Sequence, residues 1–107
     1  GAQKAWFRER VHVTAADNQE TYVLEGVNAL GGTATGIPIG GGDNRQLTPA
    51  TCSSRVMPDA NDKVLVFQGS EVGAEGSLVC IDGNDAIFRD PQGEFKIVDV
   101  NDVAKIG

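Results

Sequence analysis

The fold of this chain is decided by a stretch that opens with Lys63-Val64-Leu65-Val66-Phe67-Gln68 and runs to Ile106. Three glycines follow the opening run, at Gly69, Gly73 and Gly76. Further apolar runs come after the glycines, at Leu78 to Ile81, Ala86 to Arg89, and Phe95 to Val98. Short β-prone runs separated by glycine, proline, asparagine and aspartate are typical of antiparallel strands joined by tight turns. The stretch therefore predicts a small antiparallel β domain.

Two turn sequences separate the later runs, Asp82-Gly83-Asn84 and Asp90-Pro91-Gln92-Gly93. Asp-Gly between apolar runs is a strong hairpin signal because glycine adopts positive φ at little cost. Asp-Pro-x-Gly suits a type I turn. The oxygen-bearing side chains of Asp82, Asn84 and Asp85 also suggest a calcium loop, but the glutamate that would complete such a loop is missing, so the hairpin is favoured.

The glycine spacing resembles the KOW motif, which occurs in NusG-type transcription factors and in several ribosomal proteins. The string from Ile81 to Arg89, followed by Lys96-Ile97 and by Val103 to Ile106, is similar to the last KOW domain of the large subunit of DSIF, the eukaryotic relative of NusG. This resemblance implies a small SH3-like barrel in a nuclear elongation factor that associates with RNA polymerase II, near exiting RNA or upstream DNA. KOW motifs usually carry a basic residue before the middle glycine, where this chain has Val72.

Charge is unevenly distributed along the 107 residues, whose formal net charge is −6. Residues 1–57 hold five basic and five acidic side chains, whereas residues 58–107 hold four basic and ten acidic ones. Nucleic-acid affinity depends on lysine and arginine meeting phosphate, so the acidic half favours a protein partner with basic patches, or simply solubility. We therefore expect weak or no direct binding of nucleic acid, although RNA stays possible.

Targeting signals are not evident in the sequence. No apolar run approaches the roughly 18 residues of a membrane span, and no secretory leader is visible, so we expect no membrane association. Gly1-Ala2 resembles a remnant of cloning, and we interpret residues 1–3 as a tail of that origin. Cys52 and Cys80 are widely spaced, which indicates a reducing compartment, nucleus or cytosol, rather than a disulfide scaffold.

The strand alternation in residues 63–106 also predicts a core. Cys80 lies within an apolar run and is most simply a small buried hydrophobe. A shift of the alternation by one residue would turn a strand over. In places, therefore, the residues on the opposite face are the alternative core. The predicted inward residues are Val64, Val66, Leu78, Cys80, Ile87, Ile97 and Val103.

The sequence of the first half also predicts short strands. Val11 and Val13 alternate with polar residues between Arg8 and Thr14, which predicts a strand that buries the valines and exposes His12. The loop Gly40-Gly41-Gly42 lacks the Lys-Ser/Thr and following helix of a phosphate-binding loop, so we interpret it as a hairpin loop. Further strands are predicted at 22–30, with Gly26 in its interior, and at 33–39, 45–48 and 53–57.

This half resembles the penultimate KOW-like domain of the same family in its order of Trp6-Phe7, Val11-His12-Val13 and Val56-Met57-Pro58. The predicted fold is therefore all-β, with two tandem small SH3-like barrels. The first spans residues 4–57 and is a diverged KOW-like barrel, residues 58–61 form a linker, and residues 62–107 form the C-terminal KOW barrel. Because the linker is short, we expect the barrels to move as one unit.

No pattern in the sequence indicates catalysis, a metal or a cofactor. His12 is the only histidine, and nothing in the sequence brings a nucleophile and an orienting acid to it. A basic, partly aromatic surface is the candidate site for a partner, because such surfaces hold single-stranded nucleic acid or a peptide. Alternatively, Trp6 and Phe7 cover a barrel end or fill the seam between the modules. The candidate residues are Trp6, Phe7, Arg8, Arg10, His12, Arg45 and Arg55.

These features and the resemblance predict a non-catalytic binding module of a nuclear transcription elongation factor, monomeric as an isolated segment. It would contact RNA polymerase II or other transcription proteins. An alternative is the tandem KOW module of a nuclear G-patch/KOW splicing protein, which binds protein or RNA. A small hydrolase or metal enzyme is the least supported interpretation, because no cluster of suitable residues accompanies it.

Overall fold

The structure, a computed structural model, describes residues 4–107, which form ten β-strands and two single-turn 3-10 helices. Those residues contain no α-helix, so the all-β prediction is confirmed. Within the same range no helix has the length and apolar character that crossing a bilayer requires. The chain divides into two compact units, one up to Val56 with Gly107, the other from Met57 to Ile106. The predicted tail, residues 1–3, lies outside the described residues.

The first unit contains one antiparallel sheet of five strands. The strands are β1 His12–Ala15, β2 Thr21–Glu25, β3 Ala34–Pro38, β4 Arg45–Leu47 and β5 Cys52–Arg55. They follow the order β4-β3-β2-β1-β5, so four form a meander and the fifth returns to pair with the first. Val11, Val13, Leu24 and Leu47 are each at most 1% exposed and form the core of this unit.

The second strand is shorter than the sequence predicted, because it ends at Glu25 rather than near Leu30. Gly26 has a φ of +66° and lies after the strand, so its predicted place in a strand interior is wrong. The Glu9 carboxylate accepts hydrogen bonds from the N–H groups of Gly26 and Val27, both at 2.9 Å. These bonds hold the chain where it leaves the sheet, and Leu30 is exposed in the loop beyond.

His12 is buried, with 8% of its surface exposed, so the prediction that it faces solvent is wrong. The alternation around it is correct for the valines, since both Val11 and Val13 are fully buried. Strand β1 is paired on both sides: His12 lies opposite Val23 of β2, and its carbonyl accepts the N–H of Val56 at 2.9 Å. Neighbours on both flanks limit the exposure of a side chain on a central strand, whichever face it occupies.

The second unit contains a separate antiparallel sheet of five strands. The strands are β6 Lys63–Val66, β7 Glu75–Asp82, β8 Asp85–Arg89, β9 Phe95–Asp99 and β10 Val103–Lys105. Their order, β10-β6-β7-β8-β9, repeats the topology of the first unit, because the last strand again pairs back with the first. A short 3-10 turn from Val100 to Asp102 makes that return possible.

The predicted turns of this unit are confirmed. Asp82 pairs with Asp85 across a two-residue hairpin loop in which Gly83 has a φ of +61°. The Asp90 carboxylate accepts the N–H groups of Gln92 and Glu94, both at 2.9 Å, and so closes the turn between β8 and β9. The hairpin interpretation of the acidic residues near Gly83 is thus correct.

The core of the second unit confirms part of the predicted set and corrects the rest. Val64, Val66, Leu78 and Val103 are at most 2% exposed, joined by Ala86 and Phe88, which are fully buried. Cys80, Ile87 and Ile97 were predicted to face inward and do not. Cys80 and Ile97 are exposed, and Ile87 is half-buried.

A β-bulge in strand β7 explains the error. Leu78 pairs with Phe88 and Cys80 pairs with Ile87, so Val79 is an extra residue in the ladder. A bulge shifts the alternation by one residue, which moves Cys80 from the inner face to the outer face. Ile97 pairs with Ile87 and therefore lies on the same outer face.

Two phenylalanines on neighbouring strands, one buried and one exposed, test directly which side chains of β8 and β9 face the core. We expect Phe88→Ala to lower the free energy of unfolding by about 3–5 kcal/mol, because it leaves a cavity in the core. Phe95→Ala is the matched control: this ring is 59% exposed, so its loss should cost less than about 1 kcal/mol. Urea denaturation of both variants measures the difference, and similar losses would contradict the assigned faces.

At Gly76, within the KOW-like spacing, the backbone of a neighbouring strand leaves no room for a side chain. A Cβ there would clash with the carbonyl oxygen of Arg89 and stand 2.6 Å from Phe88 Cδ2. We expect Gly76→Ala to destabilise the second unit by about 1–3 kcal/mol, because it forces β7 and β8 apart. Gly40→Ala, in open space without positive φ, should change the midpoint of thermal unfolding little. Equal midpoints for the two variants would refute this role for Gly76.

Candidate functional site

The seven residues predicted as a partner surface differ in their exposure, from buried to exposed. Arg8 and Arg10 are exposed, while Trp6, Arg45 and Arg55 are half-buried. Phe7 is 5% exposed and His12 is 8% exposed, so neither offers a side chain for stacking on a ligand. Whether the remaining residues meet a partner stays a prediction.

Arg45 is held by contacts within its own unit. Its guanidinium donates two hydrogen bonds to the Asp17 carboxylate, Nη1 to Oδ1 at 3.0 Å and Nη2 to Oδ2 at 2.9 Å. It also lies 5.7 Å from the centre of the Tyr22 ring. The hydrogen bonds from Arg45 hold the pKa of Asp17 below its usual value, and the same pair raises the pKa of Arg45. Arg45 is therefore a poor candidate for binding phosphate.

Trp6 is likewise engaged locally, by the side chain of Lys4. The Lys4 Nζ lies 5.7 Å from the centre of the indole ring and donates hydrogen bonds to the carbonyl oxygens of Pro49 at 2.9 Å and Cys52 at 2.7 Å. These bonds tie the N-terminal segment to the turn that precedes β5. Trp6 and Lys4 thus stabilise the first unit, whatever else they bind.

The second unit presents an apolar surface that the sequence analysis did not identify as a site. Cys80, Ile87 and Ile97 lie in one row across β7, β8 and β9, because they are register partners. Phe95 lies on the same face, two residues along β9, with 59% of its surface exposed; Ile97 is 64% exposed. We call these four residues the outer apolar face. In the sequence, β8 and β9 have apolar residues on both faces. This pattern left open which face points to the core, and it did not by itself indicate a binding surface.

Strand β9, beside this face, is the last strand of its sheet. The N–H of Val100 bonds to the carbonyl of Asn84, and the N–H of Asp90 bonds to that of Glu94, both at 2.8 Å. In an antiparallel pair, hydrogen-bonded and non-hydrogen-bonded residues alternate. The even-numbered residues of β9 therefore bond to β8, and the backbone groups of Phe95, Ile97 and Asp99 point to the open side.

An acidic cleft of about 290 Å³ adjoins this open edge. Three carboxylates line it, those of Glu71, Asp99 and Asp102. One base reaches it: Lys96 Nζ lies 3.4 Å from Glu71 Oε2. Asp102 accepts a hydrogen bond from Gln68 at 3.0 Å. The chemistry of this cleft favours cationic groups, because three acids face a single base.

Reactive and metal-binding groups are sparse in the described part of the chain. Among residues 4–107, no three or more histidine, cysteine or acidic side chains are grouped to hold a metal. Burial raises the pKa of the Cys52 thiol, which lowers its reactivity at neutral pH. Cys80 is exposed, contrary to its predicted burial, because the bulge places it on the outer apolar face.

Comparison with known families gives a match to the second unit. Residues 56–106 match the model for the seventh KOW domain of transcription elongation factor SPT5. A search of curated proteins finds no match to the chain. The matched range contains the glycine spacing from Gly69 to Gly76, the hairpin at Gly83 and all five strands of the second sheet. This agrees with the resemblance to the large subunit of DSIF. Residues 56–106 are therefore a KOW domain of the transcription elongation factor SPT5 family.

Proposed function

We propose that this chain is a non-catalytic, protein-binding module of a nuclear transcription elongation factor that associates with RNA polymerase II and modulates elongation. Membership of residues 56–106 in the KOW domains of the SPT5 family supports the process and the compartment. The observation that supports protein over nucleic acid as the partner is the surface of the second unit. It combines ten acids and four bases, counted from residue 58 onward, with the exposed outer apolar face.

The loop of the KOW motif supports the same choice of partner. Val72, at the place where these motifs usually carry a base, is 54% exposed. Its neighbour Glu71 adds a negative charge to this loop. A loop with an apolar tip and a carboxylate repels phosphate and offers apolar contact instead.

For the finer architecture, we propose that each five-stranded sheet curls into a small SH3-like barrel. The strand order supports this, because the fifth strand of each unit pairs back with the first. We assign residues 4–57 to a diverged KOW-like barrel, residues 58–61 to a linker and residues 62–107 to the second barrel. Neither sheet closes fully, since β4 and β5 stay edge strands in the first unit, as do β9 and β10 in the second.

The non-catalytic part of the proposal is supported by the position of the only histidine. His12 is 8% exposed, so a substrate would have little access to the one imidazole, the side chain type that most often serves as a general base. A general base must come within hydrogen-bond reach of the proton that it removes.

The proposal of a protein partner predicts how weakly the chain binds nucleic acid. We expect no complex with single-stranded RNA or duplex DNA at micromolar concentrations in physiological salt, because the acidic surface repels phosphate. A Val72→Lys variant is the matched control, and it should bind RNA more tightly at low salt than the original chain. Fluorescence anisotropy over a salt series measures both. Micromolar affinity of the original chain with a steep salt dependence would contradict the proposal.

The proposed role in transcription elongation predicts which proteins the chain captures. From nuclear extract, the immobilised chain should enrich subunits of RNA polymerase II or of its elongation complex over spliceosomal proteins. Quantitative mass spectrometry, with an unrelated acidic β domain as the control, gives the ratio. Enrichment of spliceosomal proteins alone would instead support a nuclear G-patch/KOW splicing protein.

A further inference from the structure

We propose that the open edge of β9, together with the acidic cleft and the outer apolar face, docks an extended basic segment of a partner protein as an added strand. This inference rests on the proposed function and deepens it, since it names the surface and the chemistry of the partner. The segment would alternate lysine or arginine with β-branched apolar residues. Three independent features of the second unit support it.

The first feature is the hydrogen-bonding capacity of the edge. Phe95, Ile97 and Asp99 point their N–H and carbonyl groups away from β8, as the flanking bonds to Asn84 and Glu94 require. An edge with alternate backbone groups free to pair is a template for an extended peptide. The other edge strand of this sheet, β10, is less suited, because Val103 and Ala104 are fully buried.

The second feature is the apolar surface beside that edge. Edge strands of folded proteins are usually protected by charges, by proline or by a covering loop. Strand β9 carries Lys96 and Asp99. It nevertheless exposes Phe95 and Ile97, the two most exposed large hydrophobic residues of the second unit. The Arg89 guanidinium lies 4.7 Å from the centre of the Phe95 ring and covers part of it. A strand added to β9 would place its own apolar side chains against this pair.

The third feature is charge, which selects the occupant. Glu71, Asp99 and Asp102 line the cleft, and Asp85 lies opposite Asp99 on the outer face. Basic side chains, which alternate with the apolar ones on an added strand, would lie on the side of Lys96 and meet the cleft carboxylate of Glu71. Asp85 and Asp99 instead flank the apolar side. A second copy of this chain would bring the same acids against them, and phosphate would be repelled. Charge complementarity therefore favours a basic peptide over a homodimer or a nucleic acid.

Three seven-residue synthetic peptides would serve as probes. The first alternates lysine and valine, the second replaces each lysine by glutamate, and the third carries N-methyl groups on the valine amides. Methylation keeps side chains and charge but blocks backbone pairing. Titration into the ¹⁵N-labelled 107-residue chain should shift the amide signals of Phe95, Ile97 and Asp99 with the first peptide. The signals of β4, the edge of the other sheet, serve as an internal reference and should stay unchanged.

Variants of the full chain separate side-chain from backbone contributions. We expect Phe95→Ala, Ile97→Ala and Asp102→Asn each to weaken binding of the lysine–valine peptide roughly fivefold or more, as central contact residues do. Ile97→Pro removes the N–H that faces the open side, without touching the bonds to β8, and should abolish binding. Val79→Ala is the matched control, since Val79 is exposed at the bulge on β7, away from the edge. Its affinity should match that of the original chain.

Several outcomes would overturn the docking site. These are no shift at millimolar lysine–valine peptide, equal binding of the glutamate or N-methylated peptide, and unchanged affinity of both Phe95→Ala and Ile97→Pro. Concentration-dependent line broadening of the β9 signals without peptide would indicate a homodimer and would also overturn it. If Phe95→Ala loses peptide binding but still captures polymerase subunits, the edge is not the route to the polymerase, while the proposed function stands.

Discussion

The close approach of strands β7 and β8 at Gly76 is the constraint on which the second unit depends. The Phe88 ring and the Arg89 carbonyl occupy the space that a side chain at Gly76 would need. Only with glycine in β7 can Phe88 lie fully buried beside Val64 and Leu78. Because strand side chains alternate, an inward Phe88 turns Ile87 outward, and Ile97 follows as its register partner. The exposed apolar row is therefore a consequence of how the core is packed.

The turns and most of the strands could be predicted from the sequence, because glycine and aspartate mark turns through local backbone preferences. Strand β10, Val103–Lys105, was not among the predicted apolar runs. The inward positions Val64, Val66, Leu78 and Val103 were also predictable. The outward positions were not, for two reasons. Strands β8 and β9 are apolar on both faces, so alternation alone does not distinguish inside from outside. The bulge at Val79 adds one residue to the ladder, and this depends on pairing with β8 rather than on local sequence.

The predicted partner surface in the first half shows a similar limit. Aromatic and basic residues near Trp6 suggested a ligand-binding patch, but composition cannot distinguish a free arginine from one already paired. Arg45 pairs with Asp17 across 28 positions of sequence, and Phe7 and His12 are buried. The expected partner surface was basic and lay in the first half of the chain. The second unit instead exposes hydrophobic side chains beside carboxylates. Such a surface contributes little to folding, which is consistent with a role in binding.

The pattern of amide hydrogen exchange along β9 tests this account most directly. In the free chain, NMR-detected exchange should be fast at Phe95, Ile97 and Asp99 and slow at Lys96 and Val98, because only the even-numbered amides bond to β8. This alternation follows from the assigned register, from the inward phase of Phe88 and from the open edge together. Uniform protection along β9, or slow exchange at Ile97 with fast exchange at Val98, would contradict it.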